Sequence, residues 1–159
     1  MARDKQAPLR VVMPDGVYSS RSVAKLINRV MRDGEKSVAA RQVYGALELV
    51  KAKTGQEPAV VFDQAIKQIT PQMEVRSRRV GGAAYQVPMP VRGARGFSLA
   101  IRWLVTEAKK RPNKEFRSLA QKLAAEILDA VKGEGGAVQK KLTFHKMAEA
   151  NRAFSHFRW

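Results

Sequence analysis

Between Val75 and Thr106 the chain carries six arginines and no acid. They are Arg76, Arg78, Arg79, Arg92, Arg95 and Arg102. A guanidinium forks onto phosphate through two parallel hydrogen bonds and keeps its charge at any physiological pH. The chemistry on offer is therefore polyanion binding rather than bond making. Two β-like runs flank Gly81-Gly82, so the first three arginines sit on an extended, hairpin-like element. Such an element suits contact with phosphates along a groove. The competing reading is an edge strand that uses charge to avoid aggregation. One or two charges suffice for that, and six without an acid exceed it. Tyr85, just after the turn, has two readings that stay open: stacking on an unpaired base or packing on a strand.

Two further basic sets follow the same logic. Near the C-terminus, Lys140, Lys141, Lys146, Arg152 and Arg158 accompany a single acid, Glu149. His145, His156, Phe157 and Trp159 lie among them, and aromatics interleaved with cations suit RNA. Lys25, Arg29 and Arg32 follow Arg21 on the polar faces of the first helical stretch. These fifteen side chains, Tyr85 included, are the candidate RNA-binding set.

Catalytic groups are scarce. Cysteine is absent and there are 2 histidines, His145 and His156. His145 and Glu149 share a helix face at i, i+4, but two ligands are too few for a protein-held zinc. They read as an ordinary surface pair. Gly133-Glu-Gly-Gly-Ala-Val-Gln-Lys lacks the Gly-Lys-Ser/Thr end of a phosphate loop. Glu107 with Arg111, and Glu126 with Lys122, have the spacing of surface ion pairs. No metal site and no cofactor is expected. A nucleic-acid-processing enzyme would need its base or metal ligands among Glu35, Glu74, His145 and Glu149. An architectural DNA-binding protein is a further alternative.

These residues need elements to hold them. The chain has 159 residues, 30 Lys+Arg against 14 Asp+Glu, a net charge of +16 and a pI near 10.7. That length suggests one domain. That charge asks for an anionic partner. No apolar run is long enough to span a bilayer, and Met1-Ala-Arg-Asp-Lys-Gln opens no signal-peptide core. The cations are spread over many segments instead of lining one amphipathic helix, which favours nucleic acid over a membrane surface.

Hydrophobic spacing predicts about six helices around one core, with the hairpin protruding between the third and fourth. Residues 1–16 read as an N-terminal tail, 72–91 as the arm and 155–159 as a C-terminal tail. Both tail ends are expected to be mobile without RNA. Ser20 or Ser22 caps the first helix, which Gly34 ends. The second runs from about Lys36 to Lys53 with Val38, Val43, Leu47 and Val50 inward. Pro58 opens the third, with Val61, Phe62, Ala65, Ile66 and Ile69 inward. Ser98 caps a fourth that runs to Lys110. Asn113 offers a cap for the fifth, in which Phe116, Leu119, Leu123, Ile127 and Val131 share a face. The last lies between Val138 and Phe154, with Met147 and Ala148 inward. Pro88 and Pro90 lack ladder donors, which keeps the arm out of any larger sheet.

The run from Met73-Glu-Val-Arg-Ser-Arg-Arg to Tyr85-Gln-Val-Pro88 resembles the bacterial small-subunit ribosomal protein seven family. So do Leu99-Ala-Ile-Arg-Trp103, Met147-Ala-Glu-Ala-Asn-Arg-Ala-Phe154 and Phe157-Arg-Trp159. The resemblance runs nearly end to end. It implies a six-helix bundle with an extended hairpin, and a non-enzymatic, cytoplasmic ribosomal constituent. It implies a primary binder of small-subunit ribosomal RNA that nucleates assembly of the subunit head. It also implies an arm near exit-site transfer RNA and the messenger RNA path, with small-subunit proteins nine and eleven as neighbours. One departure stands out: Arg92-Gly-Ala-Arg95 replaces the paired arginines frequent in relatives.

Overall fold

In the computed structural model, residues 10–157 are described. Helix α1 (Arg21–Val30) is capped by Ser20, whose hydroxyl accepts from the Val23 N–H, satisfying one of the donors a helix start leaves free. Val23, Leu26, Ile27 and Val30 face inward. Helix α2 (Lys36–Thr54) follows and Gly55 closes it. Helix α3 (Pro58–Ile69) has proline in its first turn, where no backbone donor is lost. All five residues expected inward from α3 are buried.

Strands β1 (Met73–Val80) and β2 (Ala83–Pro90) pair antiparallel, Val80 opposite Ala83. Gly81 and Gly82 both have positive φ, 57° and 87°. A two-residue turn of that hand matches the twist of the strands it joins, and side chains resist it. Helices α4 (Gly93–Lys110), α5 (Leu119–Val131) and α6 (Gly136–Ala150) complete the set, and a short 3-10 helix covers Arg152–Phe157. Helix α5 lies centrally, touching α2, α3, α4 and α6. Its Leu123, Ile127 and Ala130 join Phe62, Leu47, Leu26 and Leu104 in one continuous apolar cluster. The expected architecture, mainly helical with a hairpin between the third and fourth helices, is what forms.

Several boundaries and faces differ from expectation. Helix α4 starts at Gly93, five residues before Ser98. The reason is a close approach: a Cβ on Gly96 would lie 2.9 Å from the Thr70 Cγ2. Glycine lets this extra turn wind against the end of α3. Helix α5 starts later than Asn113 suggests. Ser118 and Gln121 form a reciprocal capping box, so Phe116 stays outside the helix. Val38 is 47% exposed and Ala39 takes the inward place in α2. Met147 is 40% exposed, and Ala148 alone of that pair is buried. The part of the expected tail that is described holds one anchor. Asp15 accepts the Val17 and Tyr18 N–H groups and, at 2.6 Å, the Tyr44 hydroxyl. Residues 1–9, with Arg3 and Lys5, lie outside the described residues.

The expected surface pairs are also rearranged. Glu126 is 1% exposed. It accepts from Arg111 Nε at 2.8 Å and from the Ala137 N–H at 2.9 Å. Arg111 also pairs with Asp129. Lys122 donates instead to the Arg111 carbonyl and to Asn113 Oδ1. Glu107 holds Lys110 and Lys140 rather than Arg111. Helical spacing nominates neighbours on one helix; Lys110 is one for Glu107, but Arg111, Asn113, Ala137 and Lys140 are brought in from other segments by folding. Removing one member of a buried pair typically costs about 3–5 kcal/mol, so this node ties the end of α4 to α5 and the start of α6.

Candidate nucleic-acid interface

The hairpin register decides how the arm presents its cations. Arg78 stands opposite Tyr85, Arg76 opposite Val87 and Arg79 opposite Ala84. Opposed residues point to the same side of a ribbon. Arg76 and Arg78 therefore share a face with Tyr85 and Val87, and Arg79 points to the other. Apart from Arg79, the charged positions of β1 lie on the side of Tyr85, Val87 and Met89 of β2. The two-residue turn is the signal in the sequence from which this follows.

Tyr85 packs on protein. Its ring centroid lies 5.2 Å from Phe154 and 5.3 Å from Phe157, both on the C-terminal 3-10 helix. This cluster braces the outer half of the arm. The base is braced by α6, whose His145 Nε2 accepts the Gln72 N–H at 3.1 Å. That bond requires a neutral ring with its proton on Nδ1. Burial and the nearby Lys141 lower the His145 pKa and so favour this state. The surface pair expected between His145 and Glu149 is replaced by this backbone contact.

Glu74 sits at the arm's foot, 5% exposed. Its carboxylate accepts Arg76 Nε at 2.7 Å and Arg95 Nε at 3.2 Å. Two candidate arginines, one from β1 and one from α4, thus meet on one buried acid.

The remaining candidates gather on the helices. Along α4, Arg95, Arg102 and Lys109 recur every seven residues, on one stripe of an α-helix and spanning about 21 Å at 1.5 Å per residue. All three are exposed. Helix α1 packs beside α4 and carries Lys25 and Arg29, with Arg32 just beyond its end. Burial, Arg32 and Arg29 lower the Lys109 pKa, so the cations of the two helices repel one another. Helix α1 has no acid, and the one acid of α4, Glu107, is held by Lys110 and Lys140. The result is a basic face on two core helices. Lys109 was absent from the candidates, although its place seven residues after Arg102 would have found it. Between α1 and α4, the Lys25 ammonium lies 4.8 Å from the centre of the Phe97 ring, a contact worth about 0.5–1 kcal/mol at an exposed site. Arg92, exposed, caps the start of α4 without a side-chain bond.

The C-terminal cations do not gather in this way. Lys140 is held by Glu107 at 3.2 Å. Lys141 donates to the Gln68 carbonyl at 2.6 Å. Lys146 and Arg152 are exposed. Arg158 and Trp159 lie outside the described residues. Among the described residues no group of three or more His, Asp or Glu could hold a metal, and no helix is long and apolar enough to cross a membrane.

The chain matches known proteins along nearly its whole length. The family model for ribosomal protein S7p/S5e matches residues 2–152. The small ribosomal subunit protein uS7 of Thermoanaerobacter sp. is 54% identical over 159 residues, covering all of both chains. The protein of the same name from Carboxydothermus hydrogenoformans is also 54% identical over the full length of both. That of Lawsonia intracellularis is 52% identical over the same span.

Proposed function

Since the chain belongs to the ribosomal protein S7p/S5e family, we propose that it is a non-catalytic constituent of the small ribosomal subunit that binds the subunit's ribosomal RNA. The carrying observation is the basic face of α1 and α4, where Lys25, Arg29, Arg32, Arg102 and Lys109 gather and the one acid of the two helices, Glu107, is held by Lys110 and Lys140. Like charges held this close on core helices are unfavourable until an anion arrives. Phosphates supply it, and released counterions drive the binding. In this reading residues 1–159 act as one RNA-binding domain.

The finer assignments extend the same reading. Lys25, Arg29, Arg32, Arg92, Arg95, Arg102 and Lys109 hold folded ribosomal RNA, and this docking nucleates assembly of the subunit head. Arg76, Arg78 and Arg79 reach from the arm towards exit-site transfer RNA and messenger RNA, while Tyr85 sets the arm's angle. Lys146, Arg152 and Arg158 form a lesser contact. Small-subunit proteins nine and eleven are the neighbours, and the cytoplasmic ribosome is the location.

Titrating small-subunit ribosomal RNA with the protein across salt concentrations tests this. The slope of log affinity against log salt should be about −0.7 to −0.9 per phosphate contact. A salt-insensitive affinity, or equal affinity for duplex DNA, would overturn the reading.

A further inference from the structure

Beside the phosphate-binding cations, α1 and α4 enclose a cleft of about 380 Å³ lined by Val12, Lys25, Asn28, Arg29, Ala94, Phe97, Ser98 and Ile101. It differs from the rest of the basic face because it has an aromatic floor. Phe97 is only half buried, although it packs on the core cluster at its inner edge. A fully apolar ring left partly open beside four polar side chains is poorly explained by packing alone.

The composition of the cleft matches one ligand chemistry. A nucleobase presents a flat π-face, polar edges and an attached phosphate. Phe97 offers a ring to stack on. Asn28 carries both a donor and an acceptor, and Ser98 a hydroxyl; both are exposed and suit the edge of a base. Lys25 and Arg29 stand on the α1 side of the cleft, at phosphate reach. Lys25 covers the ring, so a base that stacks on that face must first displace its ammonium. An exposed ammonium–ring contact is weaker than a base stack, and the displaced ammonium is then free to meet the incoming phosphate.

We infer that the cleft between α1 and α4 seats one unpaired nucleotide of the bound RNA, its base stacked on Phe97 and its phosphate on Lys25 and Arg29. This rests on the RNA-binding reading and deepens it. The arginines hold the backbone wherever it runs, whereas this seat requires a base turned out of its helix. It thereby supplies a preference for structure that charge alone lacks.

The test is done with the full chain and small-subunit ribosomal RNA. Ultraviolet crosslinking of the wild-type complex should leave a nucleotide adduct on Phe97, within the tryptic peptide 96–102. Phe97→Leu should weaken binding roughly tenfold at fixed salt without changing the salt slope. Phe97→Trp, which keeps a stacking surface, should bind within about twofold of wild type. Lys25→Gln should flatten the slope by about 0.7–0.9. Equal affinity of Phe97→Leu and wild type would overturn the seat, and so would equal losses from the leucine and tryptophan variants. Absence of salt-dependent binding by the wild type would instead sink the RNA-binding reading itself.

Discussion

The arm and the α1–α4 face carry the same chemistry on opposite kinds of support. The face stands on helices whose inner sides form the core, with Leu26, Ile27, Leu104 and Ala108 fully or nearly buried. Its cations are fixed in spacing before any ligand arrives. The arm is two strands wide, and its arginines point to both sides of the ribbon. Glu74 holds one cation of each region, Arg76 of the arm and Arg95 of the face. Preorganised charge contributes more binding per residue because less side-chain freedom is lost. The face should therefore set affinity, and the arm should set reach.

Two triple substitutions separate those roles most strongly. Arg29, Arg32 and Lys109 replaced together by Ala should flatten the salt slope by about 2 to 3, one increment of 0.7–0.9 per lost phosphate contact. Arg76, Arg78 and Arg79 replaced together by Ala should flatten it by about 1 to 2, because both sides of the ribbon cannot meet one strand. The helical triple should leave thermal stability unchanged or slightly higher, since it removes mutual repulsion. Equal slope changes would erase the distinction, and an unchanged slope in the arm triple with intact folding would remove the arm from RNA contact.

A smaller effect probes the junction of the two regions. Glu74→Gln keeps the shape of the side chain and removes its charge. It should lower stability by about 1–3 kcal/mol, the penalty for weakening a buried, charge-assisted set of hydrogen bonds. It should also steepen the salt slope, because Arg76 and Arg95 are freed for phosphate. A denaturant midpoint and slope both equal to wild type would show that Glu74 restrains neither arginine.

The smallest effect lies at the far side of α2. The bond to Asp15, helped by burial, pushes the Tyr44 hydroxyl up to about 12 from its ordinary 10.0. The folded state holds that proton more tightly than the unfolded one. Its stabilisation is complete below about pH 10 and fades as pH rises towards 12. Burial opposes ionisation of Asp15, but the bonds from Tyr44, Tyr18 and Val17 outweigh it and its pKa falls below 3.8. That contribution is present above the ordinary carboxylate range and is lost in stronger acid. Tyr44→Phe should cost about 1 kcal/mol at neutral pH and shrink both losses. Melting curves from acid to strongly alkaline pH that superimpose on wild type would refute the coupling.

Local grammar carried most of the architecture. The apolar spacing of α3, the proline at its start and the Gly81-Gly82 turn each state their structure within a few residues. The errors came where partners are distant. Nothing near Ser98 announces that Gly96 must clear Thr70. Nothing near Glu126 announces that Arg111, fifteen residues earlier, will take it instead of Lys122. The binding surface divided in the same way. The arginine types were legible at once. Their sorting into a helical stripe, an acid-held foot and a two-sided ribbon depends on register and packing. Lys140 and Lys141 looked free in sequence and are held by Glu107 and the Gln68 carbonyl.

The brace on the arm has a consequence in time. Tyr85 leans on Phe154 and Phe157, which are translated 69 and 72 residues after it. At about 5–20 residues per second, the hairpin emerges roughly 3 to 14 seconds before its support exists. During that interval it is a nascent two-stranded ribbon with both edges open. Its arginines and paired prolines then have a second task, which is to keep that ribbon from pairing with another chain before the last helix arrives.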